Sequence, residues 1–418
     1  MIEAGTACID ITPPPGLQLC GFAARSLPAI AAHDALTARA VAVNDTALLI
    51  ADVIGIDAAM SLRIRQRCVL PTETVVVAAL HTHGGPVSMS GRLGNAADPA
   101  YLERLEDACV HAINKAAAGR RPARLAVGSG KDPQIARNRR HAGGLVDSAL
   151  PVLSIIDDHG AMIAILTAYA CHPVVLAADN RLWTADYPHF VRHALEQAHP
   201  GAIALFMTGC AGDANTGHSA QASISLASGA DRSFAAAQRI GRHIADMALA
   251  ADMHEVSGAI SADNLDVVLG FKRRETLSNQ DLRARWQAEL ETADPARQRL
   301  LGHWIAWANT MSKSSNTPIY ARVTVLGWAG VPIVALPGEI FAQTALAIRQ
   351  ALPQDRPGFV IGFADDNAGY IPPADEFAFG GYEVDEAHRY YGQPSTFAPG
   401  SAEKLEDAAR TLLRSTAI

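Results

Sequence analysis

The stretch Thr74-Val75-Val76-Val77-Ala78-Ala79-Leu80-His81-Thr82-His83-Gly84-Gly85-Pro86 decides how the rest of the chain is read. Its β-branched run predicts a buried strand, and Gly-Gly-Pro stops it. Side chains at i and i+2 of an extended chain point the same way, so His81 and His83 leave the strand end together. Paired imidazoles beside a loop suit a metal site or a general base. A pair of hydrogen-bonded loop histidines is the alternative that the residues alone leave open.

Working outward, the same grammar recurs. An apolar run at 161–170 predicts a strand that delivers Cys171-His172-Pro173, and 201–208 predicts one ending in Gly209-Cys210-Ala211-Gly212-Asp213-Ala214-Asn215. A strand at 331–336 runs into Pro337-Gly338-Glu339 and then a helix over 340–352. A strand at 359–363 ends in Ala364-Asp365-Asp366-Asn367-Ala368-Gly369-Tyr370. With the histidine strand, five apolar strands each place a polar or ionisable residue at the carboxyl end. That is the edge at which α/β proteins bind ligands, so the pattern predicts an α/β fold with one shared site.

Between these lie more ordinary elements. Residues 37–43 and 46–53 read as strands paired around Asn44-Asp45, with a further short strand before Pro13-Pro14-Pro15 and another over 123–128. Helices are predicted over 58–68 and 100–118, the second closed by Gly119. The basic cluster Arg137-Asn138-Arg139-Arg140-His141 is either a solvated loop or an anion- or carbonyl-binding element. The segment 270–316 is charged and helical, with Trp286, Trp304 and Trp307; it reads as a helical insertion packed on the body, or as a lid or substrate wall.

Composition sets the bounds. At 418 residues the chain accommodates one large domain or two ordinary ones, and no internal boundary is evident. Hydrophobic residues make up 49% and charged residues 18%, and the formal charge is −7, which disfavours nucleic acid as a partner. No secretory signal and no apolar run of roughly 20 residues is visible, so membrane insertion is not expected. The 6 cysteines lack metal-type spacing and suit free thiols in a reducing cytoplasm, the expected location. No pattern encodes an oligomeric state.

Chemically, His81, His172 and Glu339 form one candidate set: two imidazoles and a carboxylate make a common catalytic zinc shell that leaves a position for water or substrate. Tyr370 either completes that shell or donates to an oxyanion, and His83 is left as partner or general acid/base. Each residue also has a structural reading. Glu339 suits a helix start, His172 a satisfied core position, and Asp213 a turn or helix cap. For Asp186, the sequence suggests only support behind the site.

The order of these blocks resembles the catalytic, amino-terminal domain of the neutral (alkaline, non-lysosomal) ceramidases. It runs from Asp10-Ile11-Thr12-Pro13 through His33-Asp34, His81-Thr82-His83-Gly84-Gly85-Pro86, Asn138-Arg139, His172-Pro173, Gly212-Asp213 and Pro337-Gly338-Glu339 to Tyr370 and Tyr382-Glu383. The resemblance implies a single mixed-sheet, sandwich-like catalytic domain over 1–418, with flanking helices; the family's carboxyl-terminal immunoglobulin-like domain is not expected here, a departure from the family. It implies one zinc held by His81, His172, Glu339 and Tyr370, with His83, Arg139 and Tyr382 around a scissile carbonyl. Asp213 and Asn215 are carried as further site residues. The family has Ser where this chain has Asn215, which can donate a hydrogen bond but cannot act as an alkoxide. The expected activity is zinc-dependent hydrolysis of an N-acyl amide in a small soluble substrate. An ester, lactone or glycoside is the alternative bond, and a non-catalytic, metal-containing ligand-binding protein the alternative class.

Overall fold

The computed structural model describes residues 1–93, 96–219, 231–311 and 317–415. The strand of the opening stretch forms as read, together with its neighbours. The first sheet comprises β1 (Glu3–Asp10), β2 (Thr37–Val43), β3 (Thr46–Ala51), β4 (Val75–Ala79), β5 (Arg121–Gly130), β6 (Leu150–Asp157), β7 (Met162–Tyr169) and β8 (Ile203–Thr208). Their spatial order is β8-β7-β6-β5-β1-β2-β3-β4, and a short His254–Val256 strand adds to β5. The outer pairs β8/β7 and β3/β4 are parallel and the inner ones antiparallel. Asn44, at φ +47°, makes the tight turn between β2 and β3.

A second sheet, in the order β9 (Ile260–Leu269), β10 (Ile319–Trp328), β11 (Val331–Ala335) and β12 (Phe359–Ile361), packs on the first. The alternation of side chains shows how the layers assemble. On one face of the first sheet Ala40, Ala42, Leu49, Val75 and Val77 meet the helices α1 (Ala58–Arg67) and α2 (Pro99–Ala118). On the other, Val41, Leu48, Ile50 and Val76 share a core with Trp328, Ile333 and Phe359 of the second sheet. The α3 (Tyr187–Ala198) and α4 (Phe234–Leu249) helices join that same core. Beyond the second sheet, Val325, Val334 and Val360 pack on α7 (Ala342–Arg349) and α8 (Ser401–Ser415). The expected mixed-sheet sandwich with flanking helices is therefore the fold.

Three departures from the sequence reading have physical causes. The helix after Glu339 starts at Ala342 rather than at 340, because Ala342 N donates to the Asp213 carboxylate and Glu339–Ile340 is held extended against Tyr370–Ile371. The helical insertion is two helices, α5 (Asn279–Leu290) and α6 (Pro295–Met311). Asp294 caps the second by accepting from Ala296 N and Arg297 N, with Pro295 at its first position. Its residues 312–316 lie outside the described ones. The β6 strand was not foreseen; Leu150–Asp157 is buried on both faces and so lacks the period-two pattern that marks a strand.

The insertion docks through its tryptophans. Trp286, Trp304 and Trp307 form one cluster, with the Arg389 guanidinium 4.5 Å from the Trp304 ring. Trp304 Nε1 donates to Tyr390 Oη at 3.1 Å and Trp307 Nε1 to Gln393 O at 2.8 Å. Among the described helices none is long and apolar enough to cross a membrane.

A buried ion pair ties α3 to the first sheet. Arg192 grips Asp52 with two bonds of 2.6 and 2.9 Å, and Asp52 also accepts from Thr37 N and Oγ1. Removing the cation leaves a carboxylate inside the core with its charge uncompensated. Arg192→Met is expected to lower the unfolding free energy by about 3–5 kcal/mol, read from urea denaturation at neutral pH.

Candidate metal centre and its surroundings

The three strand ends that matter most are sewn together by backbone. Ala79 N donates to Phe363 O, Gly362 N to Thr208 O, and Thr208 Oγ1 to Leu80 O. The two outer strands of the first sheet, β4 and β8, thus meet at their carboxyl ends with β12 between them. Parallel pairing of β7 with β8 brings the His172 loop to the same seam.

His81 emerges from it in a left-handed backbone conformation, φ +66°, which a non-glycine residue rarely adopts. The conformation is held by His81 N donating to Val53 O and by an Nδ1 contact of 2.6 Å to Ile54 O, while Phe363 stacks on the ring at 4.0 Å. His172 is fixed similarly, with Nδ1 2.5 Å from Ala211 O. Its loop hangs on Asp186, whose carboxylate accepts from Val175 N, Leu176 N and Tyr187 N, and the Tyr187 hydroxyl donates to Cys171 O. Asp186 therefore does stand behind the site, through the backbone following His172.

With both Nδ1 atoms spent on carbonyls, the two Nε2 atoms face Glu339. His172 Nε2 lies 2.9 Å from Oε2 and His81 Nε2 3.6 Å from Oε1. Glu339 is placed by Gly338, which adopts φ +80° and has no room for a Cβ, since one would sit 2.7 Å from Gly369 O. Burial pushes the Glu339 carboxyl up, but His81 and His172 outweigh it and hold the group at about 2. Burial lowers the His81 pKa to about 4, so its ring is neutral at pH 7, the form that binds metal.

His83 completes a three-histidine cluster. The candidate ligand atoms of His81, His83 and His172 all lie within 4.8 Å of one another, and His83 Nε2 is 3.4 Å from His81 Nε2. Unlike the other two rings, His83 has a buried Nδ1 with no hydrogen-bond partner among the described residues. Its loop is clamped from behind by Arg25, a residue the sequence reading did not single out. This buried guanidinium donates to the carbonyls of His83, Cys20, Ala177 and Ala178, and Phe22 packs edge-on against the His83 ring.

The arginine cluster turns out to be a built element rather than a solvated loop. Arg139 Nη2 donates to Tyr370 Oη and its Nε to Glu383 Oε1, each at 2.8 Å. Arg140 holds the second oxygen of Glu383 and also bonds Glu376. Tyr370 pairs by backbone with Glu339, and its ring lies 5.7 Å from that of Tyr382. Burial would lower the Arg139 pKa, yet Tyr370, Glu383 and Glu339 raise it well above the ordinary value. Burial keeps the Tyr370 and Tyr382 phenols protonated.

Asp213 and Asn215 have other occupations among the described residues. Asp213 accepts from Ala342 N and Asn138 Nδ2, which makes it the cap of α7 that its sequence also allowed. The Asn215 amide closes its own turn, accepting from Gly217 N and His218 N and donating to His218 O. Tyr391 was missed altogether: its hydroxyl donates to Glu339 Oε1, and it lies in an aromatic run, His388-Arg389-Tyr390-Tyr391, with no spacing that marks a site.

Glu383 bridges two guanidiniums while nearly buried. Glu383→Gln removes the shared countercharge, and a loss of about 1–3 kcal/mol in stability is expected, measured by chemical denaturation.

No family model matches the sequence, and no curated protein matches it either. Solved structures do. The neutral ceramidase from Pseudomonas aeruginosa superposes with a TM-score of 0.75 at 18% identity, covering 100% of this chain and 75% of that one. A structure described as ceramidase complexed with C2 gives a TM-score of 0.73 at 17% identity, with coverage of 100% and 76%. At that identity the likeness establishes architecture, and the architecture is that of the ceramidases.

Proposed function

We propose that this protein is a zinc-dependent hydrolase that cleaves an N-acyl amide of a small, soluble molecule. The observation that carries the reading is the convergence of His81 and His172 on Glu339, with each Nδ1 already tied to a main-chain carbonyl. Metal-binding histidines show that arrangement because the second nitrogen fixes tautomer and ring direction. Two imidazoles and a carboxylate suit zinc and leave a position open for water or substrate. Tyr370, backbone-paired with Glu339 and hydrogen-bonded to Arg139, keeps the fourth-ligand role that the resemblance implies.

For the third group of the shell, the surroundings of the rings favour Glu339 over His83. His83 is near enough to compete with Glu339, but its Nδ1 has no orienting partner among the described residues. We therefore assign His83 to proton transfer and Glu339 to the ion. When bound, zinc supplies electrophilic polarisation of the acyl carbonyl and acidifies a water molecule. The chain's own part is separate. His83, neutral because burial lowers its pKa, accepts a proton from the attacking water and returns it to the leaving amine. Arg139 and Tyr382 flank the carbonyl, and Arg139 donates toward the charge that develops there.

The choice of a small, soluble substrate rests on Asn215, which stands where the resembled family has Ser. A cavity of about 420 Å³ between α6 and the 90–92 loop is lined by Ser90, Arg92, His303 and Thr310 as well as Trp307 and Tyr390. Ala306, Met311 and Tyr391 add to a lining that mixes polar and apolar groups. In this reading α5 and α6 form a wall of the approach.

Elemental analysis of purified protein is expected to give one zinc per chain. His81→Ala and His172→Ala should lose both zinc and turnover on a panel of N-acyl amides. His83→Ala should keep stoichiometric zinc while kcat falls by roughly 10²–10⁴-fold. Full turnover by zinc-free protein, or loss of zinc from the His83 variant, would overturn these assignments.

A further inference from the structure

We propose that Tyr391 is a positioning residue for the metal centre: its hydroxyl clamps one oxygen of Glu339, leaving the other directed at the His172 side. The inference rests on the metal reading above, to which it adds a residue that neither the sequence motifs nor the resemblance supplied.

The carboxylate is shared among three partners. Oε1 accepts the Tyr391 hydroxyl and lies 3.6 Å from His81 Nε2, while Oε2 lies 2.9 Å from His172 Nε2. A glutamate has three side-chain torsions, so two contacts to imidazoles do not by themselves stop its rotation. A third contact from a rigid phenol does, and a fixed carboxylate is what a metal shell needs from its surroundings.

Tyr391 is itself immobilised from three directions. Its ring lies against the Cα of Gly369, where an added Cβ would come within 2.9 Å of the ring; Gly369, at φ +110°, is also the residue whose carbonyl accepts from Glu339 N. On a second side Phe341 and Tyr370 pack on it, the latter perpendicular at 6.1 Å. On the third, the chain either side of it is bolted to the helical insertion, with Tyr390 taking the Trp304 bond and Gln393 the Trp307 bond. Gln393 Nε2 in turn donates to Ala368 O. Continuous packing therefore runs from the tryptophan cluster of α5 and α6 to the carboxylate of Glu339. The insertion braces the centre through Tyr391, in addition to any part it plays in admitting substrate.

The test is zinc affinity, read by competition with a chelating indicator on wild type, Tyr391→Phe, Tyr390→Phe and Glu339→Ala. Tyr391→Phe is expected to weaken zinc binding by about 10–100-fold, with the melting temperature of the zinc-free protein little changed and the visible bands of the cobalt(II)-loaded protein shifted. Tyr390→Phe removes the Trp304 bond but keeps the Trp307–Gln393 bond and the packing of Tyr391 on Gly369, so it should leave zinc affinity within about twofold, a change too small to count. Should the Tyr391 variant fail to fold, Gly369→Ala displaces the same ring and is expected to weaken zinc in the same direction. Unchanged zinc affinity in Tyr391→Phe, or an equal loss in Tyr390→Phe, overturns the inference while leaving the metal centre standing. Wild type that takes up no zinc, or Glu339→Ala that keeps it at full affinity, overturns the metal reading itself and the clamp with it.

Discussion

The seam at which Ala79, Leu80, Thr208, Gly362 and Phe363 exchange hydrogen bonds is the constraint on which the site depends. Outer strands of a sheet normally lie far apart, and their carboxyl ends have no reason to meet. Here β4 and β8 flank β12, and His81 after β4 and His172 after β7 both reach Glu339 after β11, with His172 Nε2 2.9 Å and His81 Nε2 3.6 Å from its carboxylate. The buried seam leaves no freedom to its exits. His81 accordingly accepts a left-handed backbone, and Gly338 occurs where a side chain has no room.

Around this seam the energetic logic is one of paired charge. Taking Arg139, Glu383, Glu339, Asp52 and Arg192 out of water is costly, and each is matched by an opposite charge or a hydrogen bond from a neighbouring element. The cost is repaid in direction. Glu383 shared between Arg139 and Arg140 aims one guanidinium at Tyr370, and Asp186 suspends the loop behind His172. Fixed dipoles and charges need no reorganisation when a ligand arrives, which is the advantage of a preorganised site.

The tryptophan insertion gains meaning in the same frame. Trp304 and Trp307 do not reach Glu339, yet they hold the backbone that carries Tyr391. Distant packing and local chemistry are joined by one phenol.

Much was legible in the residues taken alone. Five apolar runs each ending in a polar group announced an α/β fold with one shared site at the strand ends, because strand periodicity and turn residues act locally; the sandwich arrangement was implied by the family resemblance. The pairing of His81 with His172 and Glu339 followed from those ends. What remained hidden depended on neighbours far along the chain. The sequence allowed Asp213 a cap or turn role, but nothing in it reveals that the N–H it satisfies is that of Ala342, 129 residues away. His83 and His81 look alike in sequence; only the fold sets one Nδ1 on a carbonyl and leaves the other without a partner among the described residues. Tyr391 carries no motif, since its role arises from a hydrogen bond across 52 residues and from the space beside Gly369. The sequence by itself therefore determined which elements form and which residues stand at their ends. Tertiary packing alone decided which of those residues meet and which nitrogen or oxygen is left free to act, because hydrogen-bond partners are assigned in space and not along the chain.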